Sequence, residues 1–300
     1  MNPNPTLKKL GFSNDDRVAI IHTDDIGMCQ ASVSAFADLF NFGLISSGAV
    51  MVPCPWFLEV AAFCRLNPEV DMGVHLTLTS EWETYRWAPI STTDPASGLI
   101  DEQGYFHHLS KQVQDNADPE AAQRELEAQV QRALAAGIQP THFDTHMGAV
   151  ASPKFIPAYM QLAYGYKLPP MLFRYDEAAW QQEAGLDSET AKLAAQFVLQ
   201  LEEAGLPLLD HLDRLHLDEP DERLERTKQA FSNFKPGIIH FIIHPSKDTP
   251  ELRSITPDWP SRVLDYEIFM SQEMANHIRD TDVHVIGYQA LKNLMPNIQL

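Results

Sequence analysis

Two adjacent carboxylates, Asp24 and Asp25, lie at the end of a strand-like segment that opens with the apolar run 18–21. An apolar run of mostly β-branched residues is typical of a buried parallel strand. Carboxylates at the end of such a strand are costly to bury unless something pairs with them, and a metal ion is the obvious partner. Because neighbouring side chains diverge along a strand, one aspartate can bind a metal ion while the other stays free to act as a base.

Three further strand-like runs end in histidine or carry one near their end. Their polar residues are His75 in 72–79, His142, Asp144 and His146 in 141–146, and His240 and His244 in 237–245. The alternation of an extended chain puts the polar residues of 141–146 on one face, and those of 237–245 likewise. A lone histidine on a strand is more often a satisfied core residue than a ligand. Several together favour a metal site, because such a site draws its ligands from separate segments.

Composition excludes several classes of function. The chain has 300 residues, of which 44% are hydrophobic, and it carries a formal net charge of −19. This acidity argues against nucleic acid or an anionic membrane as a partner. No apolar run approaches the roughly 20 residues that span a bilayer, and residues 1–10 lack the apolar core of a signal peptide. With three cysteines and no zinc-finger spacing, we expect reduced thiols in a cytoplasmic protein.

Strand-like and helix-like segments alternate along almost the whole chain, which predicts one α/β domain over residues 1–300 with a parallel sheet. About seven candidate strands favour a TIM-barrel-like (β/α) barrel, of irregular form, with its active site at the C-terminal ends of the strands. Gly27 stands alone after the first strand, so a phosphate-binding loop has no support. The predicted helices are 31–42, 56–67, 119–136, 154–164, 188–204, 221–233 and 260–279, and the strands beyond those above are 44–52, 171–175 and 282–287.

A long aperiodic segment, 81–104, follows the His75 run and contains Trp82, Tyr85 and Trp87. Long loops in compact domains are commonly functional. We expect these rings to form one wall of a substrate cleft, against the alternative that they pack the loop onto the barrel.

Several motifs together resemble the YdjC/ChbG carbohydrate deacetylases. They are Thr-Asp-Asp-Ile-Gly-Met at 23–28, Met-Val-Pro at 51–53, Gly-Val-His-Leu-Thr-Leu-Thr at 73–79, Pro-Thr-His-Phe-Asp-Thr-His at 140–146, Phe-Arg at 173–174 and His-Pro at 244–245. The resemblance covers most of the chain, in the family's order. It implies a TIM-barrel-like fold of the polysaccharide deacetylase type and removal of N-acetyl groups from amino sugars with one divalent metal ion.

Carried over residue by residue, the resemblance implies that Asp25, His75 and His146 bind the metal, that Asp24 is the catalytic base and that His244 is the acid. This chain departs from the family where it has Thr23 and Ile26 instead of alanine and phenylalanine, and Met147-Gly148 in place of a further histidine. These departures leave the ligand set whole and put the identity of the sugar in doubt.

The chemistry fits the residue types. A cation held by one carboxylate and two imidazoles keeps open positions and lowers the pKa of bound water from 15.7 toward about 7 when the ion is zinc. An unligated carboxylate beside it can take the proton, and a histidine across the site can protonate the leaving amine. Ligand softness favours zinc, cobalt or iron over magnesium. Because members of the resembled family have been associated with magnesium, we expect zinc or magnesium.

Other assignments stay open. Asp144 either accepts a hydrogen bond from a ligand histidine, at the ring nitrogen that does not bind the metal, or is a plain strand-end carboxylate. His142 is expected to be structural. Arg174 either orients Asp24 through a bidentate contact or pairs with an exposed acid. The segment 210–218 has no assigned role, and the chain is compatible with a homodimer. The alternatives to a deacetylase are another metal-dependent barrel hydrolase, such as an amidohydrolase or a glycosidase, and a non-catalytic sugar-binding barrel.

Overall fold

A computed structural model describes residues 3–296; the ends of the predicted domain, 1–2 and 297–300, lie outside the described residues. The strands are β1 (Arg17–Ile26), β2 (Ser47–Val50), β3 (Met72–Leu76), β4 (Phe143–Thr145), β5 (His211–Arg214), β6 (Gly237–Ile243) and β7 (Val283–Val285). The helices are α1 (Pro5–Leu10), α2 (Gln30–Phe42), α3 (Phe57–Leu66), α4 (Ser110–Asn116), α5 (Pro119–Ala135), α6 (Ile156–Tyr166), α7 (Glu177–Ala184), α8 (Ser188–Glu203), α9 (Arg223–Asn233), α10 (Pro250–Ile255), α11 (Trp259–Phe269), α12 (Gln272–Asp280) and α13 (Tyr288–Lys292).

The strands form one parallel sheet in the order β4-β3-β2-β1-β6-β5, with β7 also paired to β1. This arrangement confirms the predicted α/β class with a parallel sheet. Between the edge strands β4 and β5, pairing is reduced to two isolated parallel bridges, Phe143–Pro170 and Phe173–Leu209. The expected strand 171–175 is therefore wrong as a continuous strand in the described chain: only Phe173 of this range forms a bridge.

The central strand β1 is buried over nearly all of its ten residues. It pairs with β6 from Arg17–Gly237 to Thr23–Ile243 and with β2 on its other side. Strands covered on both faces need apolar side chains at consecutive positions, and the run 18–21 supplies them.

Helices cover the sheet as their apolar periodicity predicts. In α5 the buried side chains include Ala122, Leu126 and Val130, one turn apart on a single face. Asp118 accepts a hydrogen bond from the Ala121 N–H and caps the helix. Among the described helices, none is both long and apolar enough to cross a membrane.

Local turn chemistry alters some predicted boundaries. The helix predicted over 260–279 divides into α11 and α12, because the Ser271 side chain accepts from the Met274 N–H and caps a new helix. The run 141–146 is a strand only as far as Thr145; His146 begins a short 3₁₀ turn in which Met147 has φ 51°. The run 72–79 ends as a strand at Leu76.

One close contact inside the sheet generates a stability prediction. A Cβ atom added at Gly73 would lie 2.4 Å from the buried ring of His142. We expect Gly73→Ala to lower the free energy of unfolding by about 1–3 kcal/mol, the usual cost of overpacking, measured by urea denaturation. Gly165→Ala is the control: Gly165 lies in α6 with no atom within 4 Å of the added Cβ, so a gain of about 0.4–1 kcal/mol is expected there. Equal stability of the two variants contradicts the prediction.

Candidate metal and catalytic centre

The adjacent aspartates both face the same site because β1 is irregular at its end. The register between β1 and β2 shifts between Thr23 and Ile26, and Asp25 has a left-handed backbone with φ 58°. In a regular strand the two side chains would point to opposite faces. Here the Nε2 atom of His75 lies 3.4 Å from Asp25 Oδ1 and 4.0 Å from Asp24 Oδ2.

Asp25, His75 and His146 present one carboxylate oxygen and two imidazole nitrogens to a common point. Asp25 Oδ1 lies 3.4 Å from His75 Nε2 and 3.1 Å from His146 Nδ1, and the three ligand atoms lie within 4.8 Å of one another. Ligands about 2.1 Å from a tetrahedral ion are about 3.4 Å apart. Among the described residues, buried Asp25 Oδ1 finds no hydrogen-bond partner. The donor set therefore fits a divalent cation.

A buried arginine neutralises the other oxygen of Asp25. Arg262 donates from Nη1 to Asp25 Oδ2 at 2.8 Å and from Nε to Asp258 Oδ1 at 2.7 Å. Burial raises the pKa of Asp25, but the Arg262 charge and the two histidines outweigh it and leave that pKa well below its usual range. Asp25 is thus anionic, with one oxygen held and one available. No sequence motif points to Arg262, which lies 237 positions from Asp25 along the chain.

Asp144 holds two imidazoles at once. Its Oδ1 accepts from His75 Nδ1 at 2.7 Å, and its Oδ2 lies 2.8 Å from His22 Nε2. When His75 is neutral, as a metal ligand must be, its Nδ1 proton is directed to Asp144 and its Nε2 lone pair faces Asp25. Of the two open assignments, the geometry favours the one in which Asp144 supports an imidazole from behind.

Asp24 contacts histidines and also belongs to two further groups of potential ligands, one with His22 and His240 and one with His75 and Asp144. Its Oδ1 lies 3.2 Å from His22 Nε2, and its Oδ2 lies 3.8 Å from His244 Nε2. Burial raises the pKa of Asp24, while the His75 charge and the His22 hydrogen bond lower it, and the net shift is downward. Asp24 is therefore a charged carboxylate at neutral pH, able to accept a proton.

His244 follows directly on β6 and is fixed through its backbone. Its N–H donates to Asp265 Oδ2 at 3.0 Å, and Asp265 is held by Arg223 through bonds of 2.7 and 3.1 Å. Burial lowers the pKa of His244, so its ring is neutral near pH 7 in the free protein.

Below this site, the interior of the domain contains further buried imidazoles. The ring of His142 stacks on Tyr288 with centroids 3.7 Å apart, and His240 Nδ1 lies 2.9 Å from the Tyr288 hydroxyl. His142 thus packs as a core residue, in line with its expected structural role. His240, expected on the same face as His244, contacts Tyr288 and the His22 ring instead, and burial lowers its pKa to about 3.

Arg174 lies away from the candidate metal centre. It pairs with Glu202 Oε2 at 2.5 Å and with Asp210 Oδ1 at 3.2 Å, and Asp210 in turn accepts from the Ile238 N–H near the start of β6. Asp24 is near the other end of the strands, so the expected contact between Arg174 and Asp24 is replaced by this pairing. The 210–218 segment, whose role was open, begins with Asp210 in that network and continues as β5.

The aromatic residues of the long loop divide into two groups. Trp87 is 3% exposed, and its Nε1 donates to the Thr79 carbonyl at 2.7 Å. Tyr85 donates to the Met28 carbonyl at 2.5 Å and is partly exposed, as is Trp82, whose ring lies 5.6 Å from the Arg262 guanidinium. Trp87 therefore packs the loop onto the core of the domain, and the expected cleft wall stays a prediction for the partly exposed Trp82 and Tyr85.

The loop also places Glu81 beside the candidate metal ligands. Glu81 Oε2 lies 3.0 Å from His146 Nε2, on the side of the ring away from Asp25. The sequence analysis did not single out Glu81. The only available signal was its position five residues beyond the last residue of β3.

Comparisons with known proteins agree on one family. A family model described as YdjC-like protein matches residues 18–280. A carbohydrate deacetylase of Thermus thermophilus is 32% identical over 293 residues, which are 96% of this chain and 98% of that protein. A carbohydrate deacetylase of Thermoanaerobacter pseudethanolicus is 24% identical over 273 residues, 91% of this chain and 98% of that protein.

The fold also matches a solved structure. A crystal structure from Enterococcus faecalis V583, described as a candidate cellobiose-phosphate cleavage protein, aligns with a TM-score of 0.72 at 22% identity. The alignment covers 92% of this chain and 99% of that chain. At this identity the likeness concerns the fold alone.

The contrast between Trp87 and Trp82 can be tested by stability. We expect Trp87→Ala to lower the free energy of unfolding by about 3–5 kcal/mol, since it truncates a buried aromatic ring. Trp82→Ala should cost clearly less, because the ring is partly exposed. Both are measured by chemical denaturation of the full chain; a loss for Trp82→Ala as large as that for Trp87→Ala would show that Trp82 also serves to pack the loop.

Proposed function

The chain belongs to the YdjC-like protein family, and from this premise we propose that it is a metal-dependent hydrolase that removes N-acetyl groups from an amino sugar or a short acetylated oligosaccharide. The observation that carries the proposal is the pairing of a three-residue donor set with a separate charged carboxylate, Asp24, directly beside it. The carbohydrate deacetylases to which the chain is similar over nearly its full length support the substrate class.

Asp25, His75 and His146 would hold the cation. One carboxylate and two imidazoles favour zinc, with magnesium as the harder alternative. When bound, such a cation polarises the amide carbonyl and lowers the pKa of water. The roles of the chain's own residues follow from their charges and distances.

Asp24 is proposed as the base. Hydrolysis of the amide adds water across the C–N bond and gives acetate and a free amine, so one proton leaves the attacking water and one reaches the nitrogen. As a buried anion, Asp24 can accept the first proton. His22 Nε2 lies 3.2 Å from Asp24 Oδ1, and Asp24 Oδ2 lies 4.0 Å from His75 Nε2 and 3.8 Å from His244 Nε2.

His244 is proposed as the acid that protonates the leaving amine. It is neutral when the protein is free, because burial lowers its pKa. Its Nε2 lies 3.8 Å from Asp24 Oδ2, so the proton accepted by Asp24 has a short path to the imidazole. The hydrogen bond from the His244 N–H to Asp265 keeps the ring at this edge of the sheet.

The finer fold assignment is also part of the proposal. The bridges Phe143–Pro170 and Phe173–Leu209 lie between the two edge strands, which supports an irregular TIM-barrel-like closure of a single domain. A glycosidase would need two carboxylates facing each other across a sugar, about 5–9.5 Å apart. Asp24 and Asp25 are instead neighbours that share His75, which disfavours that alternative.

Acetate release tests the activity directly. We expect the purified chain, loaded with zinc, to release acetate from di-N-acetylchitobiose, and a chelator to abolish the release until metal is restored. His146→Ala should lose both the metal and the activity, whereas His284→Ala, at an exposed histidine of β7, should keep both. Cleavage of the glycosidic bond without acetate release would assign the chain to another hydrolase class, and binding without either product would assign it to the sugar-binding alternative.

The Asp24→Asn variant tests whether Asp24 acts as the general base and not as a metal ligand. We expect this variant to keep its metal content and to lose about 10²–10⁴-fold in kcat, the usual contribution of a general base. Metal content is measured by elemental analysis and kcat by acetate release, with Asp15→Asn at an exposed position as the control. A loss of kcat below about tenfold is inconsistent with general base catalysis of this size.

A further inference from the structure

His146 differs from the other candidate ligands in how its backbone is held. Asp25 lies on β1 and His75 on β3, but His146 begins a 3₁₀ turn after β4, next to Met147 with φ 51°. A strand directs its side chains through its pleat and its neighbours. A short turn provides less restraint, so the His146 ring depends on contacts of its own side chain for its orientation.

Two carboxylates hold that ring from opposite sides. His146 Nδ1 lies 3.1 Å from Asp25 Oδ1, and Nε2 lies 3.0 Å from Glu81 Oε2. His75 is held in the same manner with its nitrogens exchanged, because its Nδ1 bonds Asp144 and its Nε2 faces Asp25. In each candidate ligand imidazole, one ring nitrogen therefore faces Asp25 and the other ring nitrogen faces a second carboxylate.

Glu81 is itself placed by a network within the long loop. Arg86 Nη1 lies 2.9 Å from His108 Nε2, and since a guanidinium only donates, that nitrogen accepts. The proton of neutral His108 is then on Nδ1, which donates to the Glu81 carbonyl at 3.1 Å. Arg86 also donates to Asp101 at 2.8 Å. These hydrogen bonds fix the backbone at Glu81, and the Glu81 carboxylate reaches His146 from this fixed position.

We propose that Glu81 is a positioning residue for the candidate metal centre: it accepts a hydrogen bond from His146 Nε2–H, so that the Nδ1 lone pair faces Asp25, and it thereby raises the affinity for a divalent cation. This inference rests on the proposed function, because it concerns the same centre. Carboxylates behind ligating imidazoles fix ring orientation and tautomer, and their loss typically weakens metal affinity by about 10–100-fold.

Cobalt titration of the metal-free full-length chain tests the proposal. We expect Glu81→Ala to weaken Co²⁺ binding by about 10–100-fold and to change the visible absorption bands that report the ligand geometry. Glu83→Ala is the matched control, since Glu83 is an exposed acid of the same loop and should bind Co²⁺ as the unaltered chain does. Glu81→Gln should recover part of the affinity, because the amide oxygen can still accept from Nε2–H.

A nuclear magnetic resonance measurement separates positioning from general loop support. In the zinc-loaded, ¹⁵N-histidine-labelled chain we expect His146 to carry its proton on Nε2, and Glu81→Ala to change or broaden that signal while the His75 signal stays. If Glu81→Ala fails to fold, the same readouts on Glu81→Gln decide. Wild-type affinity and an unchanged His146 signal in the variant overturn the proposal, as does a chain that takes up no cation.

These measurements need no substrate. A chain that shows the Glu81 effect and releases no acetate would overturn the proposed function and leave this inference standing. A chain that deacetylates and shows no Glu81 effect would overturn this inference and leave the proposed function standing.

Discussion

Three buried carboxylates, Asp24, Asp25 and Asp144, meet in one small volume at the ends of the strands, and the surrounding structure compensates their charge. A carboxylate taken out of water costs several kcal/mol unless it is paired and hydrogen-bonded. Here each carboxylate has a partner: His22 bridges Asp24 and Asp144, His75 bonds Asp144, and Arg262 bonds Asp25. Removing Arg262 would leave Asp25 Oδ2 without its buried cationic partner.

This compensation is incomplete at one side of the site. Arg262 binds one oxygen of Asp25, and the oxygen that faces His75 and His146 has no hydrogen bond among the described residues. That oxygen lies where two imidazole nitrogens converge, and the surrounding carboxylates raise the pKa values of both histidines although burial opposes it. A cation would replace the protons that these imidazoles otherwise hold, so the ligand geometry and the charges support the same proposal.

The parts of the structure that the sequence predicts are those governed by local patterns. The apolar run before Asp24 predicts β1, and the Asp118 cap with its amphipathic continuation predicts α5, because burial and capping act within a few residues. Asp25, His75 and His146 are grouped by what the family resemblance implies, and the pattern explains why they can lie together, since the ends of parallel strands meet at one edge of a sheet. The orientation of the paired aspartates does not follow, because it depends on an irregular register and a left-handed residue.

The parts that the sequence does not predict depend on distant segments. Arg262 and Glu81 carry no motif, and their partners lie far away in the chain, so only the folded structure shows that they contact Asp25 and His146. Arg174 shows the converse: its position beside Phe173 in a family-like motif suggested the centre, but the buried network with Glu202 and Asp210 competes for its charge. Trp87 was misassigned because an aperiodic loop gives no indication of which rings are buried.

The position of β1 in the middle of the sheet has a kinetic consequence. Its residues are synthesised first among the strands, yet two of its partners, β6 and β7, begin at Gly237 and Val283. During translation β1 therefore stays unpaired on these sides until most of the chain has been synthesised, and the strands that cover it in the folded protein are still absent. Pairings of such long sequence separation form slowly, and an uncovered strand is prone to aggregate. Expression yield should thus depend on temperature and on chaperones that shield the nascent amino-terminal third.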